Sequence, residues 1–456
     1  MNQQEIAAAT SIGLLYLIRM LGLFMVLPVL PLLGQDVAQA TPFLIGIAIG
    51  IYGLSQALLQ IPFGLLSDRL GRKKVIAAGL LLFVAGSFVA GFSTDIYGLI
   101  VGRFMQGCGA IASTLLALMS DLTRVDQRGK SMAIIGAAIG GSFGLSLVLG
   151  PFVANAWGLA GIFNLTGMLG LLGLALLLFR IPTPTIRATN LDATLQTGGL
   201  GTVLKDLNLW RVNVSIFLLH YLLVSAFSVL PLLFEASGRI ETDEHALYYL
   251  VLLLVSFVAM LPLMRLSDRL KDNRGVLAGT VGLSVLAFGV LVSLHGYWWL
   301  LLGAVLFFMA FNLLEVLLPA QLSKMSVAGM RGTAMGVYST CQFMGIFAGG
   351  VVSGWILMHG DLEDHLLVNL FICIGWLLMC LGFPDMGQIA SRTVTIDDSL
   401  QSSDTDLLER LLSVHGVTDA VIIAQDQVAY LKVDESILNE NELNKVIAPA
   451  AGAGGA

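Results

Sequence analysis

The chain reads as an all-α polytopic membrane protein, with twelve transmembrane helices in two six-helix halves, followed by a small α+β domain. Three observations carry that reading. Of the 456 residues, 57% are hydrophobic and only 12% charged, with a mean hydropathy of +0.87, too few charges to cover a water-facing surface. Apolar runs near the ~20 residues that cross a bilayer recur along the chain. From about residue 388 the apolar character ends, and four basic residues stand against eleven acidic ones up to residue 448.

The predicted spans are 8–33, 43–66, 75–93, 97–120, 131–154, 158–181, 209–234, 246–267, 275–295, 298–321, 332–357 and 365–384. The first has no basic leader and no small-residue cleavage site, so it is expected to remain as a span. Alternating loops sort the cations. One side receives Arg69, Arg72, Lys73 and Lys74, then Arg124, Arg128 and Lys130, and so on, while the other receives only Arg239. Cations resist translocation, so the first side, with both termini, is expected in the cytoplasm of a multi-pass inner-membrane protein. Cys108, Cys341, Cys373 and Cys380 fall in apolar runs without metal-ligand spacing, and no metal or cofactor is expected. Neither a nucleophile and base pair nor a phosphate loop appears, so an enzyme reading finds no support and no nucleic-acid partner is expected.

The halves repeat. Leu66-Ser67-Asp68-Arg69-Leu70 recurs as Leu266-Ser267-Asp268-Arg269-Leu270, and Arg128-Gly129-x-x-Met132 as Arg331-Gly332-x-x-Met335, at nearly equal offsets. This divides the chain into a first half at 1–181, a cytoplasmic linker at 182–208 rich in Thr, Gly and Pro, and a second half at 209–387. Residues 388–448 form the acidic domain and 449–456 a disordered end. Within the domain, Thr393 to Ile396 reads as a strand, and Asp406 with Glu409 opens a helix carrying Leu407, Leu408, Leu411 and Leu412 on one face. Val421 to Ala424 and Val428 to Val433 read as a hairpin, and Asn439 with Glu442 opens a second helix. That βαββα order resembles a ferredoxin-like domain lacking its last strand. Its acidity should draw it toward the chain's own basic loops.

The loop after the second span, Gly64-Leu65-Leu66-Ser67-Asp68-Arg69-Leu70-Gly71-Arg72-Lys73-Lys74, is a packet of charge between apolar runs. It resembles the signature loop between helices 2 and 3 of the major facilitator superfamily of membrane transporters. The resemblance implies the major facilitator fold, small-molecule substrates and alternating access. It also implies a conformational switch made by Gly64, Asp68, Arg69, Gly71 and Arg72. Asp68 would face the N-terminus of span 11 near Gly332, where the helix dipole favours an anion. Arg72 would pair with Asp121 on span 4. These contacts would latch the outward-facing state; the alternative is that the charges serve insertion topology alone. The second copy departs from the signature, with Met264 for the leading glycine, so the switch is expected in the first.

Four ionisable residues lie at membrane depth, one each on spans 1, 4, 7 and 10: Arg19, Arg103, His220 and Glu315. Such groups are costly in lipid and face a cavity or a partner. In the superfamily these four helices line the central cavity. Loss of water favours a neutral Glu315 and a nearby arginine favours its carboxylate, so changes in access can move a proton there. Glu315 is therefore the first choice for proton coupling, against a fixed ion pair with Arg19 or Arg103. Arg103 and Gln106 lie in Arg103-x-x-Gln106-Gly107-x-Gly109-Ala110, which is similar to the family's helix 4 motif linked to proton transfer; the alternative is that Arg103 satisfies buried carbonyls. His220 is weaker and reads first as a satisfied interior histidine.

The stretch Arg19-Met20-Leu21-Gly22-x-Phe24-Met25-Val26-Leu27-Pro28, with the acidic tail, resembles the YajR-type subgroup of proton-driven exporters. On span 5, Gly136, Gly140 and Gly144 share a face expected to pack closely across the interface between halves. Gly150-Pro151 follows them, and the run partly resembles the family's antiporter motif. The resulting expectation is a proton antiporter for efflux of amphipathic or drug-like molecules. A symporter or facilitator, or a transporter-like receptor, is the alternative.

Overall fold

The computed structural model of the chain describes residues 1–124, 127–183, 200–270, 273–326, 330–383, 389–396, 404–423 and 428–447. Residues 184–199 of the expected linker lie outside the described residues, as do 384–388 and the terminal segment from 448.

The first crossing is α1, Gln3–Phe24. Pro28 and Pro31 have no backbone N–H to continue it. The chain passes through short bonds, Leu27 N to Phe24 O at 3.1 Å and Val29 N to Val26 O at 3.2 Å, into the brief α2, Leu30–Leu33. Helix α3, Pro42–Leu70, starts where Thr41 Oγ1 accepts the Leu44 N–H at 3.2 Å, with proline at the first position. It ends at Gly71, whose φ of 100° suits glycine, and α4, Arg72–Phe92, follows.

The fourth crossing differs from the single expected helix. It is broken into α5, Ile96–Cys108, and α6, Ala112–Asp121. A side chain on Gly107 would strike Ser55 Oγ and the Tyr52 carbonyl, and one on Gly109 the Gly79 carbonyl. The helix yields where α3 and α4 press on it, which hydropathy does not reveal.

Helix α7, Arg128–Phe179, has 52 residues, at ~1.5 Å each far too long for one crossing. Gly158, at φ 65°, breaks it into two.

The second half holds α8, Leu200–Lys205, within the stretch expected as linker, then α9, Leu207–Ala236, capped by Asp206. There follow α10, His245–Leu270; α11, Asn273–Ser293; α12, Tyr297–Met325; α13, Arg331–His359; and α14, Leu362–Cys380. Among the described residues, eleven helical stretches are long and apolar enough to cross a membrane, and the break in α7 makes one of them two crossings. This even number returns the chain to the face where it began, here termed the terminal face. Exposed Phe92, Trp157, Trp210, Trp298 and Trp355 sit near span ends, where amphipathic rings meet the lipid interface.

Lipid offers little hydrophobic drive between helices, so small residues and backbone contact decide the packing. The tightest seam joins the halves away from the terminal face, between α3 and α13. A Cβ on Gly46 would meet the Gly350 carbonyl, one on Gly50 the Phe347 carbonyl at 2.7 Å, and one on Gly354 the Pro42 carbonyl at 2.6 Å. The expected close approach at Gly136, Gly140 and Gly144 is absent: among the described residues no atom lies within 4 Å of a Cβ built there. These three glycines lie in the part of α7 toward the terminal side. Before its break at Gly158, α7 comes close to the first crossing of its own half, at Ile134 and Ala138 beside Gly13 and at Gly150 beside the Met25 carbonyl.

The C-terminal domain has β1, Ile389–Thr395; α15, Asp404–Ser413; β2, Val417–Ile423; β3, Val428–Asp434; and α16, Glu440–Ile447. The sheet is antiparallel in the order β1-β3-β2, with Thr393 opposite Tyr430 and Val421 opposite Tyr430 on the other side. This is a ferredoxin-like sheet without its fourth strand, and Leu407, Leu411 and Leu443 cover it. Strands β1 and β2 each begin several residues earlier than expected, because their polar first residues alternate too weakly to be read.

Candidate functional site

Arg103 on α5 is fully buried and well satisfied. Its Nε donates to the Ala48 carbonyl at 3.2 Å, Nη2 to Ile49 O at 3.4 Å and Nη1 to Gln106 Oε1 at 3.1 Å. Gln106 Nε2 in turn donates to Ser87 Oγ at 2.8 Å, and the guanidinium stands 5.0 Å from the Tyr52 ring centre. The arrangement ties α5 to α3 and α4.

Arg19 on α1 is 1% exposed. Its Nη2 donates to Gln56 Oε1 on α3, and Gln56 Nε2 donates to Gln60 Oε1 at 2.9 Å. Gln56 and Gln60 escaped the sequence reading because they are neutral; their spacing of four within an apolar run is the signal that marks them as one helix face.

On the second half, His220 of α9 meets Glu315 of α12, with Nε2 3.1 Å from Oε1. His220 Nδ1 lies 3.3 Å from the Ile216 carbonyl, which assigns the proton to Nδ1, and Gln342 Nε2 on α13 lies 2.7 Å from His220 Nε2. His220 is 3% exposed, while one third of the Glu315 side chain is open. The fixed pair considered for Glu315 with Arg19 or Arg103 is therefore not formed. Arg103 uses carbonyls and amides, and the ion-pair partner recorded for Glu315 is a histidine. Gln342 was not legible in the sequence, since only its position beside His220 distinguishes it.

An aromatic layer joins the two halves near these groups. Phe24 lies edge-on to Phe143 with ring centres 5.1 Å apart, Phe143 is 5.6 Å from Phe311, and Phe311 is 6.0 Å from His220. Phe24 is five residues beyond Arg19 and Phe311 four residues before Glu315, both away from the terminal face. Arg19 and Glu315 thus lie on the terminal side of one aromatic layer.

The loop after α3 places Arg72 at a node. Its Nη1 donates to Ser67 Oγ at 2.7 Å and pairs with Asp68, and its Nε meets Asp121 Oδ2 at 3.2 Å. Ser67 Oγ donates to Gly64 O at 2.7 Å, and Arg69 is exposed. Side chains at the repeated loop, from Ser267 to Asn273, lie outside the described residues.

A second polar cluster went unread. His365 and Asn369 on α14, Ser225 on α9 and Ser353 on α13 bond to one another at 2.9–3.3 Å, fully buried. Each finds partners within the cluster, so it holds three helices together.

The C-terminal domain touches the membrane helices through Lys432 of β3, whose Nζ donates to Met325 O at 3.3 Å and Ser326 O at 3.4 Å, at the end of α12. Burial lowers the Lys432 ammonium, while Asp419 and Asp206 oppose the shift. This contact is a cation on carbonyls at the negative end of a helix dipole. Within the domain, Arg392 pairs with Glu440 at 2.6 Å and Glu435 at 3.2 Å, which hold its guanidinium above the usual range.

The sequence matches the profile of the Major Facilitator Superfamily over 12–350 and 239–395, and that of the YajR YAM domain over 397–448. It is 39% identical to the inner membrane transport protein YajR of Escherichia coli (strain K12) over 451 residues, 99% of each chain. It is 26% identical to the quinolone resistance protein NorA of Staphylococcus aureus (strain N315), over 82% of this chain and 94% of that one. Two solved structures share the fold. The nucleoside transporter NupG superposes at TM-score 0.65 with 14% identity, over 82% of this chain and 99% of that one. The human organic anion transporter MFSD10 superposes at 0.61 with 18% identity, over 83% and 100%. With twelve crossings in two joined halves, a signature loop closed on Arg72 and profile matches along nearly its whole length, this chain belongs to the major facilitator superfamily, whose members carry solutes across membranes rather than transform them.

Proposed function

We propose that the chain is a proton-coupled exporter of small amphipathic molecules in the inner membrane, with both termini cytoplasmic, and that Glu315 and His220 carry the proton. The observation that supports this is a carboxyl 3.1 Å from an imidazole, on different helices of an apolar bundle. Two bonding patterns are open to the pair. A neutral His220 has one lone pair on Nε2, which accepts from Gln342 or from a protonated Glu315. A His220 protonated on Nε2 donates to the Glu315 carboxylate and requires the Gln342 amide to turn. Gaining or losing a proton therefore changes how α9, α12 and α13 are tied. One proton moving inward releases about 2.3 kcal/mol per 100 mV. The likeness to a quinolone resistance protein favours drug-like cargo and export.

The backbone seam away from the terminal face, with the glycine face of α7 open, is read as a state closed to the outside. The Arg72 node is the inner switch of the first half. We take the boundaries as 1–181, 182–208, 209–387 and 388–448, with the last unit regulatory. Lys432 reaches the end of α12, and its charge is felt by Asp206, the cap of α9, so the domain touches one helix of the proton pair and lies within electrostatic range of the start of the other.

The test is compound-evoked proton flux into proteoliposomes with an internal pH dye, using a panel of lipophilic cations, neutral amphiphiles, organic acids and sugars. Flux evoked by one class and lost in Glu315→Gln is the expected result. Flux unchanged in the variant moves the proton elsewhere, and binding without flux by any compound supports a receptor.

A further inference from the structure

The proton pair leaves Arg19 without a role, although it is as deeply buried as Arg103. The contrast between them is chemical. All three nitrogens of Arg103 have acceptors. Arg19 has one recorded bond, from Nη2 to Gln56, while its Nε and Nη1 have no partner. Among the described residues no carboxylate lies within ion-pair distance of it.

Orphaned donors on a buried cation are expensive, and native structures keep them where something else completes them. The geometry of the guanidinium itself says what that is. A guanidinium has five N–H groups on a rigid fork, with two edges that each offer a parallel pair of donors sharing Nη2. Gln56 takes one Nη2 hydrogen. Whichever it takes, the other edge keeps both donors, the geometry that a carboxylate fills with two bonds. Gln60 holds Gln56, so the guanidinium is presented rather than loose.

An aromatic layer farther along α1 points to an apolar body for the ligand. Phe24, on the same helix, opens the aromatic layer that runs through Phe143 and Phe311 to His220. The layer begins about one and a half helical turns beyond Arg19 and leads toward the proton pair on the other half, so an apolar body that extends along α1 from a carboxylate on Arg19 would meet it.

We propose that Arg19, held by Gln56 and Gln60, binds the carboxylate of an amphipathic organic acid, and that aryl-alkyl carboxylates are the transported class. The inference rests on the reading of the chain as a small-molecule transporter and names its cargo.

The test uses the full chain in nanodiscs with three matched probes: 6-phenylhexanoate, 6-phenylhexan-1-ol and 6-phenylhexylamine. Calorimetric affinity is measured for the wild type, Arg19→Gln, Arg19→Lys and Gln56→Glu, and proton flux is followed in proteoliposomes. The acid is expected to bind roughly tenfold or more tightly than the alcohol, as a charge-assisted bidentate contact requires, and the amine not at all. Arg19→Gln removes that preference and Arg19→Lys restores only part of it. Gln56→Glu supplies Arg19 with an internal carboxylate, so it abolishes acid binding while raising thermal stability, a combination that misfolding cannot produce. Equal affinity for acid and alcohol in the wild type, or acid binding unchanged in Gln56→Glu, overturns the proposal. Proton flux evoked by the amine or alcohol but not the acid overturns it while leaving proton-coupled transport standing. Acid binding that obeys the variants but evokes no flux upholds the site and removes the proton-coupled reading.

Discussion

The two six-helix halves handle buried polarity in opposite ways. In the first, two of the three buried arginines are held by the frame: Arg103 is bonded at every nitrogen and Arg72 is clasped between Asp68 and Asp121, while Nε and Nη1 of Arg19 have no partner. In the second, the deep ionisable groups are a carboxylate and an imidazole facing each other, with Gln342 competing for the same ring nitrogen. An arginine keeps its charge in every state. A carboxyl and a histidine can trade a proton, and each protonation state demands a different set of bonds. On the proposed reading, the second half holds the pair that responds to protons, while the buried arginines of the first keep their charge throughout.

The largest effect is expected at the seam where the halves meet. Gly350→Val drives a side chain into the backbone of Gly46 and Gly50, and should cost about 3 kcal/mol or more, seen as loss of monodisperse protein or a much lower unfolding temperature. Gly140→Ala, on the open face of α7, should be neutral or slightly stabilising in the same assay. A large loss at Gly140 would show that the α7 face closes in the dominant state.

Next comes the frame itself. Arg103→Gln leaves the Ala48 and Ile49 carbonyls and Gln106 without their donor and should destabilise by about 3 kcal/mol. Arg19→Gln, which forfeits one recorded bond, should cost about 1 kcal/mol or less. Equal costs would erase the distinction between the two arginines.

Asp68→Asn tests whether the node is a switch. Losing the ion pair with Arg72 should slow transport about tenfold while topology reporters stay unchanged. Normal transport would reduce the node to an insertion signal.

The smallest effect belongs to the C-terminal contact. Lys432→Ala removes hydrogen bonds to two carbonyls and should cost about 1 kcal/mol of docking, read as a severalfold change in transport rate. Rates identical to the wild type, both here and after truncation at residue 388, would make the domain an appendage.

How much of this was legible follows from where the information sits. Span positions were readable because crossing a bilayer requires a length of apolar residues, and the turn near Gly158 fell between two such lengths. The break at Gly109 was not, because it comes from α3 and α4 pressing on glycines far along the chain. Glu315 and His220 stood out singly as costly groups at depth, yet their pairing joins positions 95 residues apart and a single sequence holds no record of it. Gln56, Gln60 and Gln342 went unseen because a neutral amide in an apolar run becomes informative only beside its partner. The glycines of α7 were read as a packing face, and the structure shows that small residues mark an opening as readily as a contact.

The central claim is that the His220–Glu315 pair carries the proton and is not merely a brace between α9 and α12. The measurement that tests it most directly compares two modes of transport by Glu315→Gln in the same proteoliposomes: exchange of labelled for unlabelled substrate, which needs no net proton movement, and accumulation driven by an imposed pH gradient. The account predicts that exchange persists while gradient-driven accumulation is lost. Loss of both would make Glu315 a structural brace, and retention of both would place the proton on another residue.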